Sequence, residues 1–213
     1  MTIHELSLYD GANFYVEGMT DHQSLDPNLQ GLVVLNGCVA DGTADLMAST
    51  AVVASTTYTL TNPILLDGPF GRVVSVTSDD AGDITITGRD YLGQVMTETI
   101  TCIVGAAEGA KAFKYIDSYT ASSGLAGNIS FGSGGEFGLP FMTSEIIDEY
   151  ADGVLIGAGA NHVVPDTATP TATTGDVRGT VDPTTAPDGT KVIQMTVRFN
   201  NLGTGGLYGQ KQA

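Results

Sequence analysis

Basic side chains are what this sequence has least of. The chain of 213 residues carries 8 Lys and Arg against 24 Asp and Glu, which gives a formal net charge of −16. Charged residues are still only 15% of the total, so the acidity comes from a shortage of Lys and Arg rather than an excess of carboxylates. Proteins bind nucleic acids and anionic membranes mainly through Lys and Arg. The composition therefore predicts a protein that binds neither.

Tryptophan is absent, and cysteine occurs only at Cys38 and Cys102. Cys102 alternates with Ile100 and Val104, which predicts a small core residue rather than a redox or metal-binding one. Residues 1–5 have neither the basic nor the apolar region of a secretory signal, and no run approaches the ~20 apolar residues that a membrane helix needs. We expect a cytoplasmic product without disulfides.

Catalytic and metal-binding motifs are also missing. The histidines, His4, His22 and His162, are isolated from one another, whereas a zinc site needs clustered ligands. The glycine-rich segment 132–135 is not followed by Gly-Lys-Ser or Gly-Lys-Thr, and in segment 157–162 a histidine stands where the dinucleotide fingerprint needs its third glycine. Both segments are interpreted as loops. The sequence predicts no cofactor.

Carboxylates are the charged groups that the chain does have. Asp79, Asp80 and Asp83 surround one turn and offer oxygen atoms that Ca²⁺ could use, but their spacing is not that of a calcium loop. A second acidic group consists of Glu145, Asp148 and Glu149. A glycosidase would need two of these carboxylates to face each other across a sugar cleft. We interpret the first group as a solvated turn. Carbohydrate sites rely heavily on aromatic residues, which make up only 7% of this chain, so we predict no metal ion, no catalytic residue and no enzymatic activity.

Alternation of apolar and polar residues dominates what remains. Residues 72–77 and 83–87 alternate around the turn 78–82, which predicts a hairpin. The turn 88–93 and the strand 96–104 follow. The pattern continues in a run that places Phe113, Tyr115, Asp117 and Tyr119 on one face and Ile116 on the other, then in the strands 128–131 and 191–199.

This pattern predicts an all-β fold, a β-sandwich or jelly-roll-like domain with an extended N-terminal arm and long C-terminal loops. The expected organisation is an arm over 1–30, a β-sandwich over 31–138 and a C-terminal β sub-domain over 139–213. The last two form one domain in the alternative reading. Segment 165–187, rich in Thr, Pro, Asp and Gly, predicts a long loop.

The alternation does not settle the secondary structure of two segments or the exposure of one pair of lysines. Segments 41–54 and 144–150 fit either a short helix or a strand. Lys111 and Lys114 form the one close pair of basic residues, and we expect them on a solvated strand face.

The N-terminal arm carries apolar and aromatic residues without a sustained period. A segment of this kind rarely folds alone, so we expect it to dock on a neighbouring subunit or on its own domain. The candidate contact residues are Leu8, Tyr9, Phe14 and Tyr15. Packing of these four against their own sandwich is the alternative.

Several segments resemble a family of bacteriophage proteins. Residues 84–100 contain a strand, a Gly-x-Asp-x-x-Gly turn and a Thr-Glu-Thr strand, and residues 113–118 follow as a Phe-Lys-x-Ile strand. Residues 175–183, with the Asp-Gly-Thr at 188–190, resemble the closing segment of proteins encoded beside a major capsid protein. Together these features, over about residues 60–200, resemble the head decoration, or cement, proteins of tailed phages.

The resemblance implies a non-enzymatic protein that binds the outer surface of the phage head and stabilises the shell against the pressure of packaged DNA. It implies the major capsid protein as partner, self-association as a homotrimer, and a place on the outer capsid surface of the virion after synthesis in the host cytoplasm. A phage tail, fibre or receptor-binding protein is the alternative. A glycan depolymerase and a non-viral adhesion or scaffold protein remain further ones.

Overall fold

Strands account for almost all of the regular structure. The computed structural model describes residues 4–8, 12–16, 30–157, 160–199 and 206–213. Within these residues lie the strands β1 (His4–Leu8), β2 (Ala12–Val16), β3 (Gln30–Asn36), β4 (Met47–Ala51), β5 (Thr57–Leu65), β6 (Arg72–Ser78), β7 (Gly82–Arg89), β8 (Val95–Cys102), β9 (Gly105–Glu108), β10 (Tyr115–Ala121), β11 (Asn128–Gly138), β12 (Thr143–Ala151), β13 (Val154–Gly157), β14 (Asn161–Val163), β15 (Thr180–Asp182) and β16 (Val192–Phe199), with a short 3₁₀ turn at Gly206–Tyr208.

Two facing sheets enclose the first core. One has the strand order β5-β10-β7-β8, and the other has the order β14-β15-β11-β6-β9, with β4 also paired to β11. Successive side chains of a strand point to opposite faces, so alternate residues of the two sheets meet in the middle. The apolar cluster between them includes Val74, Val76, Ile84, Ile86, Met96, Ile100, Ile116, Ile129 and Phe131.

A second core lies against the other half of the larger sheet. Its outer sheet has the order β13-β12-β16-β3. The predicted strand 191–199 is β16, and Ile193, Met195, Val197 and Phe199 are buried as one apolar face, as expected. They cluster with Val33, Leu35, Phe137, Leu139, Phe141, Ile146 and Val181.

The long strand β11 belongs to both cores. Phe131, in its first half, packs in the first core, and Phe137, near its end, packs in the second. Its register with β6 shifts between Ser133 and Phe137, and such a bulge bends a strand and re-aims its side chains. The predicted all-β, sandwich-like class is confirmed, in the form of two sandwiches that share one sheet.

The hairpin predicted over residues 72–87 is wrong. Both strands exist, but β6 pairs with β11 and β9, whereas β7 pairs with β10 and β8. The turn at 78–82 therefore carries the chain from one sheet of the first sandwich to the other. The turn at 88–93 does close a hairpin, between β7 and β8.

A bulge in β10 overturns another expectation, the shared face of Phe113, Tyr115, Asp117 and Tyr119. The register of β10 with both neighbours shifts between Ile116 and Ser118. Tyr119 is consequently buried in the first core, while Tyr115 and Asp117 keep partial exposure.

The segments left open between helix and strand are both strands. Segment 41–54 contains β4, and 144–150 lies within β12. The expected long loop over 165–187 is interrupted by β15. Cys102 is a buried core residue as predicted, and both cysteines are free. In the described part of the chain, no helix has the length and apolarity to cross a membrane.

Candidate functional site

The turn between β7 and β8 is organised around the carboxylate of Asp90. Its Oδ1 accepts hydrogen bonds from the backbone N–H groups of Leu92, at 2.9 Å, and Gln94, at 2.8 Å. Gly93 takes the positive φ of 76° that the turn requires. Asp90 is fully buried, so its second oxygen also needs a partner.

That partner is Arg178, which comes from the C-terminal part of the chain. Its Nη2 donates to Asp90 Oδ2 at 2.9 Å, and its guanidinium lies 4.9 Å from the centre of the Tyr91 ring. Burial disfavours the charged guanidinium, but the nearby carboxylates of Asp176 and Asp90 outweigh it and raise the pKa of Arg178. The pair is therefore charged and buried, and it links residues 88 positions apart.

Tyr91 connects the same turn to the second core. Its hydroxyl donates to the Pro140 carbonyl, and its ring packs edge-on against Phe70 at 5.2 Å. Burial raises the pKa of this phenol, so it stays protonated and remains a donor. The Asp90–Tyr91 turn of the first sandwich is thus held by residues of the second.

Lys111 contradicts the expectation of a solvated lysine pair. Its side chain is 0% exposed. The Nζ donates to three backbone oxygens, those of Thr97 at 3.0 Å, Thr171 at 2.7 Å and Ala213 at 3.3 Å. Lys114, by contrast, is partly exposed and donates to one, the Gly68 carbonyl. The Lys111 ammonium therefore holds two distant segments, those of Thr171 and Ala213, beside β8.

Those segments also cover the outer edge of β8. The Thr97 N–H donates to the Ala213 oxygen at 2.5 Å, and the Thr99 N–H donates to the Ala172 carbonyl at 2.7 Å. Two backbone N–H groups that β8 turns away from β7 are thereby satisfied within the chain. An edge strand covered in this way is no longer a template for another chain.

Glu98 stands among apolar residues on the inward face of β8. One carboxylate oxygen accepts from the Ala110 N–H, and the other, Oε2, is buried without a hydrogen-bond partner. Burial raises the pKa of Glu98 to about 7, against smaller opposing effects of the Ala110 hydrogen bond and the Lys111 charge. A Cβ at Gly109 would lie 2.5 Å from Oε2, so a glycine is needed beside this carboxylate.

Arg72 is a further buried cation, at the start of β6. It donates to Asp67 Oδ1 at 3.0 Å, to the Val39 carbonyl at 2.9 Å and to the Gly134 carbonyl at 2.5 Å. Its guanidinium also lies 4.3 Å from the centre of the Phe137 ring. Arg72 therefore ties two loops to β11 at its bulge.

Several of the acidic residues singled out in the sequence have structural partners. Glu149 is buried and accepts from the N–H groups of Thr184 and Thr185, while Glu145 is exposed and pairs with Arg198. Asp148 lies with them on β12.

At the turn between β6 and β7, Asp79 accepts from the Asn128 side chain and Asp80 caps its own turn. Nowhere in the described residues do three His, Cys, Asp or Glu side chains group as metal ligands.

The predicted contact residues of the N-terminal arm fall on or beside one hairpin. Leu8 ends β1, and Phe14 and Tyr15 lie in β2, where the backbone pairs Phe14 with Leu6. Tyr9 lies outside the described residues. The two strands form a small sheet of their own, in the order β1-β2. The role proposed for these residues stays a prediction.

Sequence reasoning missed the buried charges, although one of them left a signal. Glu98 occupies the apolar phase of β8, between Met96 and Ile100, so alternation alone placed a carboxylate in the core. No local pattern in the sequence indicates the burial of Lys111 and Arg178, because their partners come from distant segments. These charged groups position backbone and turns: Arg178 pairs with Asp90, whereas Lys111 binds backbone oxygens.

Comparison with known proteins finds no match among family models, curated proteins or solved structures.

Proposed function

We propose that the protein is a non-enzymatic decoration, or cement, protein that binds the outer surface of a bacteriophage head and stabilises the shell. The observation that supports this best is the contact between the two segments that resemble such proteins. Asp90 and Tyr91 lie in the first segment, Arg178 lies in the second, and the buried ion pair joins them. The resembling residues thus form one packed unit rather than scattered strands.

The physical properties of the body suit that role. Two cores sharing a sheet, tied by buried charges, give a rigid unit that can hold neighbouring capsid subunits at a fixed spacing. A net charge of −16 is repelled by packaged DNA, which favours the outside of the shell. Many modest contacts, repeated over a shell by linked copies, make detachment slow.

The N-terminal hairpin supplies the proposed contact with the major capsid protein, through Leu8, Tyr9, Phe14 and Tyr15. It is a two-stranded sheet whose second strand, β2, lies beside β3 of the sandwiches, and a two-stranded sheet is marginally stable by itself in water. Association with a larger surface stabilises such an element. In this proposal the sandwiches are the rigid body and the hairpin is the anchor.

Deletion of residues 1–20 tests the anchor. The truncated protein should keep the circular-dichroism spectrum and cooperative unfolding of the sandwiches, but it should no longer sediment with DNA-filled heads that lack the protein. The matched control is the full chain carrying Asp117→Ala, a surface change far from the hairpin in sequence. Normal sedimentation of the truncated protein would overturn the anchor.

Copy number tests the wider proposal. Quantitative mass spectrometry of purified particles should give a number of copies comparable with that of the major capsid protein. A handful of copies per particle would instead indicate a tail, fibre or receptor-binding component, and absence from the particle would reject a virion role.

A further inference from the structure

The carboxyl of Glu98 and the side chain of Lys111 meet where β8 lies against the segment that follows β9. Glu98 Oε1 accepts from the Ala110 N–H, and a Cβ at Gly109 would lie 2.5 Å from Glu98 Oε2. Lys111 is the next residue of that segment, and its Nζ reaches the Thr97 oxygen at 3.0 Å. A carboxyl and an ammonium therefore lie on the inward face and at the outer edge of the same strand.

The two groups differ in how well their hydrogen-bonding capacity is met. Lys111 Nζ donates to three backbone oxygens, which uses all three of its protons. Glu98 is only 4% exposed, and its Oε2 has no hydrogen-bond partner in the part of the chain that the structure describes. An ionised carboxylate has about four acceptor positions to fill. The site of Glu98 therefore suits the protonated acid better than the anion.

Few charges surround this carboxyl. Burial has the largest influence on the pKa of Glu98 and raises it, the Lys111 ammonium opposes this rise, and the Asp176 carboxylate adds to it. The Lys111 ammonium, whose pKa burial lowers, faces the carboxylates of Glu98, Asp176 and Asp166. Asp176 and Asp166 each already accept from two backbone N–H groups. Lys111 is therefore the cation that an ionised Glu98 attracts.

The same ammonium holds the cover of the β8 edge. It donates to Thr171 at 2.7 Å and to Ala213 at 3.3 Å, and the segments of these two residues accept from the N–H groups of Thr99 and Thr97. Thr171 and Ala213 are both exposed, so hydrogen bonds rather than apolar packing hold them at the strand. Movement of the ammonium would leave the cover with its two backbone hydrogen bonds alone.

We propose that Glu98 and Lys111 form a latch on the edge of β8. While Glu98 is protonated, the ammonium holds the covering segments at Thr171 and Ala213 on the strand. When Glu98 releases its proton to solvent, the carboxylate draws the ammonium towards itself, and the covering segments come away. Strand β8 then presents unpaired N–H groups, the feature through which an edge strand pairs with another chain. The latch belongs to the isolated protein and does not depend on the capsid role.

Hydrogen exchange at Thr97 and Thr99, measured by NMR at pH 5 and pH 8.5, tests the latch. Protection relative to an unstructured chain should fall at least about tenfold at the higher pH in the wild type. At pH 8.5 the exchange should also be nearly independent of low urea concentrations, because release of a covering segment exposes little surface, whereas exchange through global unfolding rises with urea.

Two glutamine substitutions form a matched pair. Glu98→Gln removes the group that ionises, so protection at Thr97 and Thr99 should be the same at both pH values. Glu136→Gln makes the same chemical change at a half-buried carboxyl of β11 whose pKa burial also raises, and it should behave as the wild type. Lys111→Met removes the ammonium and should give weak protection at both pH values.

Equal wild-type protection at the two pH values would overturn the latch, and this comparison needs no variant. A fall that persists in Glu98→Gln would also overturn it, as would a fall in Lys111→Met, because the ammonium would then not be the part that moves. Exchange at pH 8.5 that rises with urea as global unfolding does would show a general loss of stability instead of a latch. Circular dichroism establishes that the variants fold.

Discussion

Strands β8 and β13 are both edges, and the molecule treats them in opposite ways. β8 is covered by its own chain, through hydrogen bonds to Ala172 and Ala213 and through the buried Lys111 ammonium. β13 is short, uncharged and exposed on both faces. The difference shows where the chain covers its own edge strand and where it leaves one exposed. Substitutions that change one edge strand but not the other test this distinction.

Loss of Asp90 should have the largest effect on stability. Asp90→Ala removes the carboxylate to which the buried Arg178 donates and leaves only the nearby charge of Asp176, and breaking a buried pair costs up to about 3–5 kcal/mol. Asp117→Ala is the matched control, because Asp117 also pairs with an arginine, Arg89, at 2.8 Å, but at a partly exposed site. We expect the control to cost at most about 1 kcal/mol.

Urea unfolding of both variants checks this difference. Similar losses of unfolding free energy in the two proteins would mean that the Asp90–Arg178 pair does not hold the sandwiches together.

The free energy of unfolding should depend on pH by up to about 3 kcal/mol because of Glu98, which lies on β8. Burial raises the folded-state pKa of this carboxyl to about 7 from an ordinary value of 4.5, and each unit corresponds to about 1.4 kcal/mol. The stabilisation by the protonated form is complete below about pH 4.5 and is lost as the pH rises through about 7.

Glu98→Gln should therefore match the wild type at pH 5 and exceed it at pH 8.5. Denaturant unfolding of both proteins at the two pH values measures the difference, and the shared surface charges cancel in the comparison. If the unfolding free energies of the two proteins differed by the same amount at both pH values, Glu98 would not titrate near pH 7.

Removal of the Lys111 ammonium should uncover the β8 edge at a cost of about 2 kcal/mol, since hydrogen bonds from a charged group contribute roughly that much. Lys111→Met keeps most of the apolar stem and releases the oxygens of Thr97, Thr171 and Ala213. Hydrogen exchange at Thr97 and Thr99 should quicken. Lys114→Met, which loses one carbonyl contact, is the control and should leave that exchange unchanged.

The smallest effect on folding is expected at the exposed strand β13. Leu155→Glu should change the unfolding free energy of the chain by less than about 0.5 kcal/mol, as surface substitutions usually do. Thermal unfolding at low protein concentration measures this. A large loss of stability would mean that Leu155 supports the fold of its own chain, and the contrast with β8 would fail.

Sequence periodicity predicted the strands well where the pleat is regular. β7, β8 and β16 alternate cleanly, and they lie where the pattern placed them. The pairing of β6 with β7 was wrong because alternation identifies a strand without identifying its neighbour. The predicted face of Tyr119 was wrong because a bulge adds a residue to the strand, and the amino-acid composition does not indicate where a bulge occurs.

The buried charges were harder to predict, for a reason that Lys111 illustrates. A lysine is stable inside a protein only when several oxygens surround it, and its partners lie 14, 60 and 102 positions away along the chain. No local pattern encodes such a meeting. The burial of Glu98 could have been predicted, because the alternation along β8 alone places this carboxylate on the inward face.

A reconstruction of the intact phage particle tests the proposed function most directly. We expect a strand-rich body of two sandwiches on the outer surface of the head, repeated over the shell, with the N-terminal hairpin against the major capsid protein. Density for this body only at the tail, or on no part of the particle, would contradict it.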